Sequence, residues 1–295
     1  MSSFHTSVPG KWILAGEHSV LRGCPALVFP LSSRRLELSY QQGKEDVLDL
    51  QLQGEHGGEL RLLFWGVLER ACELKKIRRA HLKGQVLLKS SIPVGAGLGA
   101  SAALCVAVVQ WLSWMKLVKS EEQQDFAREL ENLFHGESSG VDIAVALSGQ
   151  ALHFERQGDR HILKPQWQPK WYVSYSGKRG VTLECVKKVK ALFEKNAILA
   201  AQLDQSMKEA VLKSEQALSL PQDQGFSLLC EAIQKAAYCF EAWGLVEGVP
   251  SQHISMLKQA GASAVKPTGS GDGGYVLSLW SQEPPTELQK ALIPC

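Results

Sequence analysis

The residues of this chain whose types and spacing could do chemistry fall in four places. Residues 93–103 read Pro-Val-Gly-Ala-Gly-Leu-Gly-Ala-Ser-Ala-Ala, with Gly95, Gly97 and Gly99 alternating just ahead of an apolar, alanine-rich run. Glycine lets the backbone close on an oxyanion. The first N–H groups of a helix lack internal acceptors and sit at its positive end. A strand, a glycine loop and a helix start therefore make an anion cradle, and Ser101 adds a hydroxyl able to cap the helix or to ligate a hard cation such as Mg²⁺. The run lacks the Gly-Lys-Ser/Thr ending of a P-loop and misses the dinucleotide fingerprint, so a helix-entry turn that binds nothing stays open.

The second place holds Glu131, His135 and Asp142. Glu131 and His135 are four apart and share a helix face, a spacing that suits a metal or a plain surface pair. Asp142 follows a Gly-Glu-Ser-Ser-Gly turn, where an acid also favours a helix start. The third is the opening strand with Lys11, followed by Gly16 and then Glu17-His18, which alone would read as solvated polar residues. The fourth is Lys266-Pro-Thr-Gly269-Ser270-Gly271-Asp272-Gly-Gly274, a second glycine loop ahead of an apolar strand.

The elements that must position these residues can be read from periodicity. A short strand over 9–15 and a second over 23–29 precede alternating apolar positions at Leu36, Leu38, Val47, Leu48, Leu50 and Leu52, which predict antiparallel strands broken by Gly57-Gly58. Residues 60–77 carry an amphipathic helical pattern, 86–88 a strand end and 102–117 a helix. Ser120-x-x-Gln123 predicts a capping box opening a helix to His135, stopped by Gly136. A short helix starts at 139–142 and ends at Gly149, before a strand at 151–154. Residues 165–171, rich in proline and tryptophan, are the best linker candidate. Beyond them lie a strand at 171–175, helices over 182–193, 197–218 and 226–243, a helix from Pro250 to Gly261, and a strand over 275–280. Strands interrupted by blocks of helix predict an α+β architecture rather than a regular βα repeat.

Bulk properties narrow the class. The composition, 45% hydrophobic and 21% charged, is that of a globular protein, and a net charge of +2 gives no support for a nucleic-acid surface. Seven widely spaced cysteines without a Cys-x-x-Cys predict reduced thiols and a cytoplasmic protein. No apolar run has the length of a membrane span, and no signal peptide precedes Pro9.

Taken together, the segments resemble the three signatures of the GHMP kinase superfamily, in order and spacing, from Pro9 to Gly274. The first is Pro9-Gly10-Lys11…Gly16-Glu17-His18…Gly23-Cys24-Pro25-Ala26, the second residues 93–103 and the third residues 266–274. Within that superfamily, residues 135–142, His-Gly-Glu-Ser-Ser-Gly-Val-Asp, are similar to the mevalonate kinase stretch His-Gly-x-Pro-Ser-Gly-x-Asp. The Gly-Glu-His-Ser-Val opening and Trp243-Gly244-Leu245-Val246 point the same way.

The resemblance implies a two-domain GHMP kinase fold, with a ribosomal-protein-S5-like half over 1–165 and a ferredoxin-like half over 166–295. It implies ATP and Mg²⁺ as cofactors and mevalonate as the substrate, phosphorylated on its primary hydroxyl. By position, Asp142 and Lys11 take the catalytic roles, Glu131 and Ser101 hold Mg²⁺, and Glu17 and His18 line the substrate pocket. Pro93, Gly95, Ala96, Gly97, Leu98, Gly99, Ala100 and Ser101 form the triphosphate cradle, against which Gly269, Ser270 and Gly271 pack. Nucleic-acid and membrane partners are not expected, and a homodimer is allowed. Ala100 stands where a serine is usual, Ser138 where a proline is, Arg22 where a tyrosine is common and Asp272 in a run of glycines. An acid at 272 would repel phosphate unless it faces solvent or a cation. These departures leave open another kinase or relative of the superfamily: a phosphomevalonate, homoserine or sugar kinase, a mevalonate 3-kinase or a diphosphomevalonate decarboxylase. A catalytically inactive metabolite-sensing relative is the remaining alternative.

Overall fold

A computed structural model describes residues 2–43, 47–54, 57–136 and 138–295; Glu137 and the side chain of His135, both in the 135–142 motif, lie outside the described residues. In chain order the elements are β1 (Ser3–Ala15), β2 (Ala26–Gln41), β3 (Leu48–Gln53), α1 (Gly57–Lys75), β4 (Gly84–Ser90), α2 (Ala100–Trp114), α3 (Gln123–His135) and α4 (Val141–Ser148). They continue with β5 (Leu152–Phe154), β6 (Arg160–Ile162), β7 (Lys170–Tyr175), α5 (Thr182–Lys195), α6 (Ala197–Ser219), α7 (Gln222–Ala242) and α8 (Val249–Gln259). The chain ends with β8 (Ala264–Thr268), β9 (Tyr275–Trp280), α9 (Thr286–Gln289) and β10 (Ile293–Pro294). The architecture is α+β, with two compact units that interleave along the sequence.

The first unit comprises Met1–Lys11, Arg34–Val94 and Leu98–Gly149. In it β4 runs antiparallel to β2, from Leu36↔Ser90 to Gln41↔Gln85, and parallel to β3, from Leu48↔Gly84 to Gln53↔Lys89. The expectation of antiparallel strands through Leu52 is thus corrected for β3. Its partner is β4, reached through the α1 crossover, and a parallel pair needs such a connection. β3 ends at Gln53, ahead of Gly57-Gly58, which open α1. Helix α2 packs against α1, α3 and α4. It buries eleven of its residues, Ala102 through Val109 among them, because it is apolar on nearly every side. The capping box at Ser120 does not form. Residues Ser120–Glu122 make a 3₁₀ turn instead, and Glu122 takes the cap position of α3 with no side-chain cap bond.

The second unit comprises Trp12–Ser33, Gly95–Gly97 and Gln150–Cys295. The first residues of β2 pair antiparallel with β5, which pairs antiparallel with β6. A four-stranded sheet follows in the order β10-β7-β9-β8, with antiparallel neighbours. Helices α6 and α7 form a long packed pair, and α7 and α8 lie against β8. Trp12, Phe29 and Trp171 form an aromatic cluster with ring centroids 4.6–5.1 Å apart. Such stacked and edge-on pairs contribute beyond the area they bury.

All seven cysteines are free thiols, and Cys72, Cys105, Cys185 and Cys239 are buried. Burial pushes the Cys239 thiol up to about 12 and raises Cys72, Cys105 and Cys185 as well. Among the described residues no helix is long and apolar enough to cross a membrane.

Candidate functional site

In the first unit, Lys11 lies on β1 with its side chain only 5% exposed, and its Nζ is 2.9 Å from Asp142 Oδ2. A strand lysine left to itself would be solvated; this one is drawn inward by a carboxylate. The Lys11 N–H donates to the Leu98 carbonyl at 2.9 Å, which fastens β1 to the glycine turn. Gly99 has φ +80°, and a Cβ there would sit 2.7 Å from Lys11 Cγ, so the buried lysine stem occupies the space a side chain would need. Gly99, not Ser101, is the cap residue of α2, which settles the capping alternative for that serine. Ala100 and Ser101 open the helix, whose first N–H groups have no acceptor within it.

Asp142 stands in the first turn of α4, behind Gly140 at φ +83°. Glu131 projects from α3 and is 2% exposed. Its Oε2 accepts from the Ser138 hydroxyl. Ser138 Oγ also accepts from the Gly140 N–H at 3.0 Å, and the Ser138 N–H donates to Asn132 Oδ1 at 2.8 Å. Oε1 of Glu131 is buried with no hydrogen-bond partner among the described residues. Burial pushes the Glu131 carboxyl up to about 8, the negative charge of Asp142 adds to that, and the Ser138 hydroxyl and Lys11 oppose it. A buried carboxylate with an unpaired oxygen and a second carboxylate whose charge it feels are hard-oxygen donors of the kind Mg²⁺ takes.

In the second unit the chain makes its other glycine approaches. Gly95 has φ +69°, and a Cβ there would lie 2.3 Å from Arg179 Nη2, so a guanidinium rests on the loop. Gly97 and Gly269, at φ +84° and +92°, face each other; a Cβ on Gly269 would be 3.3 Å from the Gly97 carbonyl oxygen. Ala96 is buried between them and Gly274. Thr268 Oγ1 accepts from the Ile13 N–H at 2.8 Å and donates to the Ile13 carbonyl at 3.0 Å.

Glu17 and His18 are both buried. Lys266 Nζ meets Glu17 Oε1 at 2.5 Å, with the two side chains 0% and 2% exposed, and sits 5.1 Å from the centre of the Phe240 ring. His18 Nε2 donates to the Ser270 carbonyl at 2.8 Å, and its ring stands edge-on to Trp243 and Phe240. That bond puts a proton on Nε2. Burial pulls the imidazole down to about 4, opposed by the Ser270 carbonyl and assisted by the positive charge of Arg22. The His18 backbone has φ 59° and ψ −46°, and the Ser19 N–H closes on the Glu17 carbonyl at 2.6 Å. This is a γ-turn with positive φ, a conformation that costs about 1–3 kcal/mol and persists where surrounding contacts hold it.

Three of the four departures from the superfamily pattern, Asp272, Arg22 and Ser138, have partners. Asp272 Oδ1 lies 2.7 Å from Lys178 Nζ, so the acid in the glycine run faces a cation, as expected. Arg22 bonds Asp204 through two nitrogens and stacks 3.9 Å from the Phe193 ring centre. Ser138 supplies the hydroxyl on Glu131. Sequence reasoning missed three roles: Lys266 as the counter-charge of Glu17, Arg179 over Gly95, and the aromatic wall of Trp243 and Phe240 around His18. Only Arg179 carried a signal, standing between Gly177-Lys178 and Gly180 in a basic turn.

Comparison with known proteins finds relatives of this chain. The family described as GHMP kinases N terminal domain matches residues 63–150. The chain is 30% identical to a mevalonate kinase of Pyrococcus horikoshii over 92% of this chain and 87% of that protein. It is 29% identical to one of Thermococcus onnurineus over 92% and 88%. The crystal structure of L. major mevalonate kinase in complex with R-mevalonate superposes with a TM-score of 0.79 at 20% identity, covering 98% of this chain and 90% of that one.

Two outcomes follow from the second unit. Lys266→Met removes the cation from the buried Glu17 carboxylate and is expected to cost about 3–5 kcal/mol in urea unfolding. The double variant with Glu17→Gln should recover most of that loss. His18 binds its proton more weakly folded than unfolded, so its contribution is complete above its ordinary value near 6.5 and is lost as pH falls from there toward about 4. The loss amounts to about 3 kcal/mol. Unfolding measured across that window should show a shallower acid limb in His18→Asn, a residue that tolerates positive φ.

Proposed function

The chain belongs to the GHMP kinase superfamily, is a phosphotransferase with an alcohol group as acceptor and is most like the mevalonate kinases; from that premise we propose that it transfers the γ-phosphate of ATP to the primary hydroxyl of mevalonate. The observation that carries the reading is the pair between buried Lys11 and half-buried Asp142, 2.9 Å apart, in a neighbourhood that also holds the Glu131 carboxylate. Asp142 accepts or electrostatically activates the attacking hydroxyl. Lys11 holds that carboxylate by an ion pair and lowers the pKa of a hydroxyl placed beside it. Glu131 and Ser101 would hold Mg²⁺, which supplies charge neutralisation on the phosphate oxygens. The open N–H groups at the start of α2 offer donors to phosphate. In the second unit Arg179 and Gly269 lie against the turn of residues 95–97. His18, neutral and buried, orients the polar end of the acceptor through its second ring nitrogen. Because phosphoryl transfer needs little covalent help from protein, alignment and charge stabilisation supply most of the rate.

The test is ADP release with ATP and each of mevalonate, phosphomevalonate, homoserine and galactose. Mevalonate should be turned over preferentially; turnover of another acceptor without mevalonate would move the chain to a neighbouring activity, and no turnover of any would favour a sensing role. Asp142→Asn should lower kcat roughly 10²–10⁴-fold while nucleotide binding, followed by fluorescence, stays near wild type. Ser138→Ala removes the hydroxyl that steadies Glu131. It should raise the Mg²⁺ concentration for half-maximal rate by roughly 10-fold, with a smaller change in kcat at saturating Mg²⁺.

A further inference from the structure

We propose that His153, His161 and Glu215, in the second unit, form a binding site for one transition-metal ion of the Zn²⁺ type. His153 and His161 are directly opposed in the β5–β6 register. Opposed residues project on the same face of a hairpin. Their rings stack with centroids 4.7 Å apart and planes 17° from parallel. Glu215, from α6, places one carboxylate oxygen on each: Oε2 lies 2.8 Å from His153 Nδ1 and Oε1 lies 2.7 Å from His161 Nε2. One ligand atom from each of the three residues lies within 4.8 Å of the others. An ion with ligand bonds of about 2.0–2.2 Å sets its ligand atoms about 3.3 Å apart, so it would replace the two N···O hydrogen bonds and spread those atoms slightly.

The nitrogens turned away from Glu215 carry the second observation. His161 Nδ1 is 3.1 Å from Asp159 Oδ2, and His153 Nε2 is 3.7 Å from Glu155 Oε1. A histidine that binds metal through one nitrogen characteristically offers the other to a carboxylate, which fixes ring orientation and strengthens the ligand. His161 makes that outer hydrogen bond, His153 has the Glu155 carboxylate near its outer nitrogen, and both turn the remaining nitrogen to one shared acid. Two imidazoles and one carboxylate favour Zn²⁺, Cu²⁺ or Ni²⁺ over Mg²⁺, which prefers oxygen alone. His153 is buried while His161 is 45% exposed, so one side of the site is open to a fourth, water ligand. None of the three residues has a part in phosphoryl transfer. A metal here would tie the short, exposed strand β6 to helix α6, the ring protons it displaces passing to solvent.

The experiment uses the full chain, stripped with chelator and held in excess Mg²⁺ so that hard-oxygen sites are filled. Co²⁺ is the probe, followed by its visible ligand-field absorption, with Zn²⁺ as competitor and the melting temperature as a second readout. One equivalent of Co²⁺ should bind, Zn²⁺ should displace it, and Zn²⁺ should raise the melting temperature. His161→Gln and Glu215→Gln should each weaken binding at least ~100-fold, and Asp159→Asn roughly 10-fold. His161 and Asp159 are exposed, so both variants should melt with the metal-free wild type. Glu131→Gln should leave Co²⁺ binding unchanged. No one-equivalent binding by the wild type, or equally tight binding by His161→Gln, as coordination by cysteine thiolates would give, overturns the proposal.

Discussion

One ammonium faces two carboxylates in the interior of the first unit. Lys11 pairs with Asp142, while Glu131, almost fully buried, feels the charges of both and keeps one oxygen without a partner among the described residues. The fields do not cancel. Glu131 is cut off from water while Asp142 is only partly so, and the surplus negative charge on Glu131 is met by a proton or by another cation. Much of the local structure can be read as the cost of holding that imbalance in place. Helix α2 is apolar on nearly every side and so can lie against both helices that carry the acids. Gly140 and Gly99 adopt left-handed backbone to deliver Asp142 and to make room for the lysine stem.

The second unit solves a similar problem differently. There Lys266 and Glu17 neutralise each other out of water, with the Phe240 ring beside the ammonium. Such a pair adds little net stability over an apolar replacement, but losing one partner is severe. Its effect is to hold the segment just ahead of His18, and with it a tight turn that isolated sequence would not favour. Thr268, two residues after Lys266, secures Ile13 by two further bonds. The strand β8 and the opening segment are thereby held in one register, and His18 is presented from that join.

How much of this was legible in the sequence depended on the range of the interaction. The helices of residues 182–259 follow from 3.6-residue periodicity and end within a few residues of where it ends. The glycine loops were legible because their spacing is local. The strand β3 was not, since alternation reveals a strand but not its neighbour or direction. Ser120 had the right partner three residues on, yet the chain spends that turn on a 3₁₀ segment. The GHMP fold and kinase class came from three separated signatures, whereas the Lys266–Glu17 pair, 249 residues apart, left no pattern to read. Ser138 was visible as a departure from a motif, but the use of its hydroxyl was visible only once Glu131 lay beside it.

The four buried thiols carry a practical consequence. Cys72 and Cys105 belong to the first unit and Cys185 and Cys239 to the second, and each is shielded and held in its unreactive protonated form. A soluble alkylating reagent can therefore reach them only when their surroundings open. The rate at which each is modified becomes a clock for local opening, so mass spectrometry of the labelled peptides would rank the two units by kinetic resistance without any engineered probe.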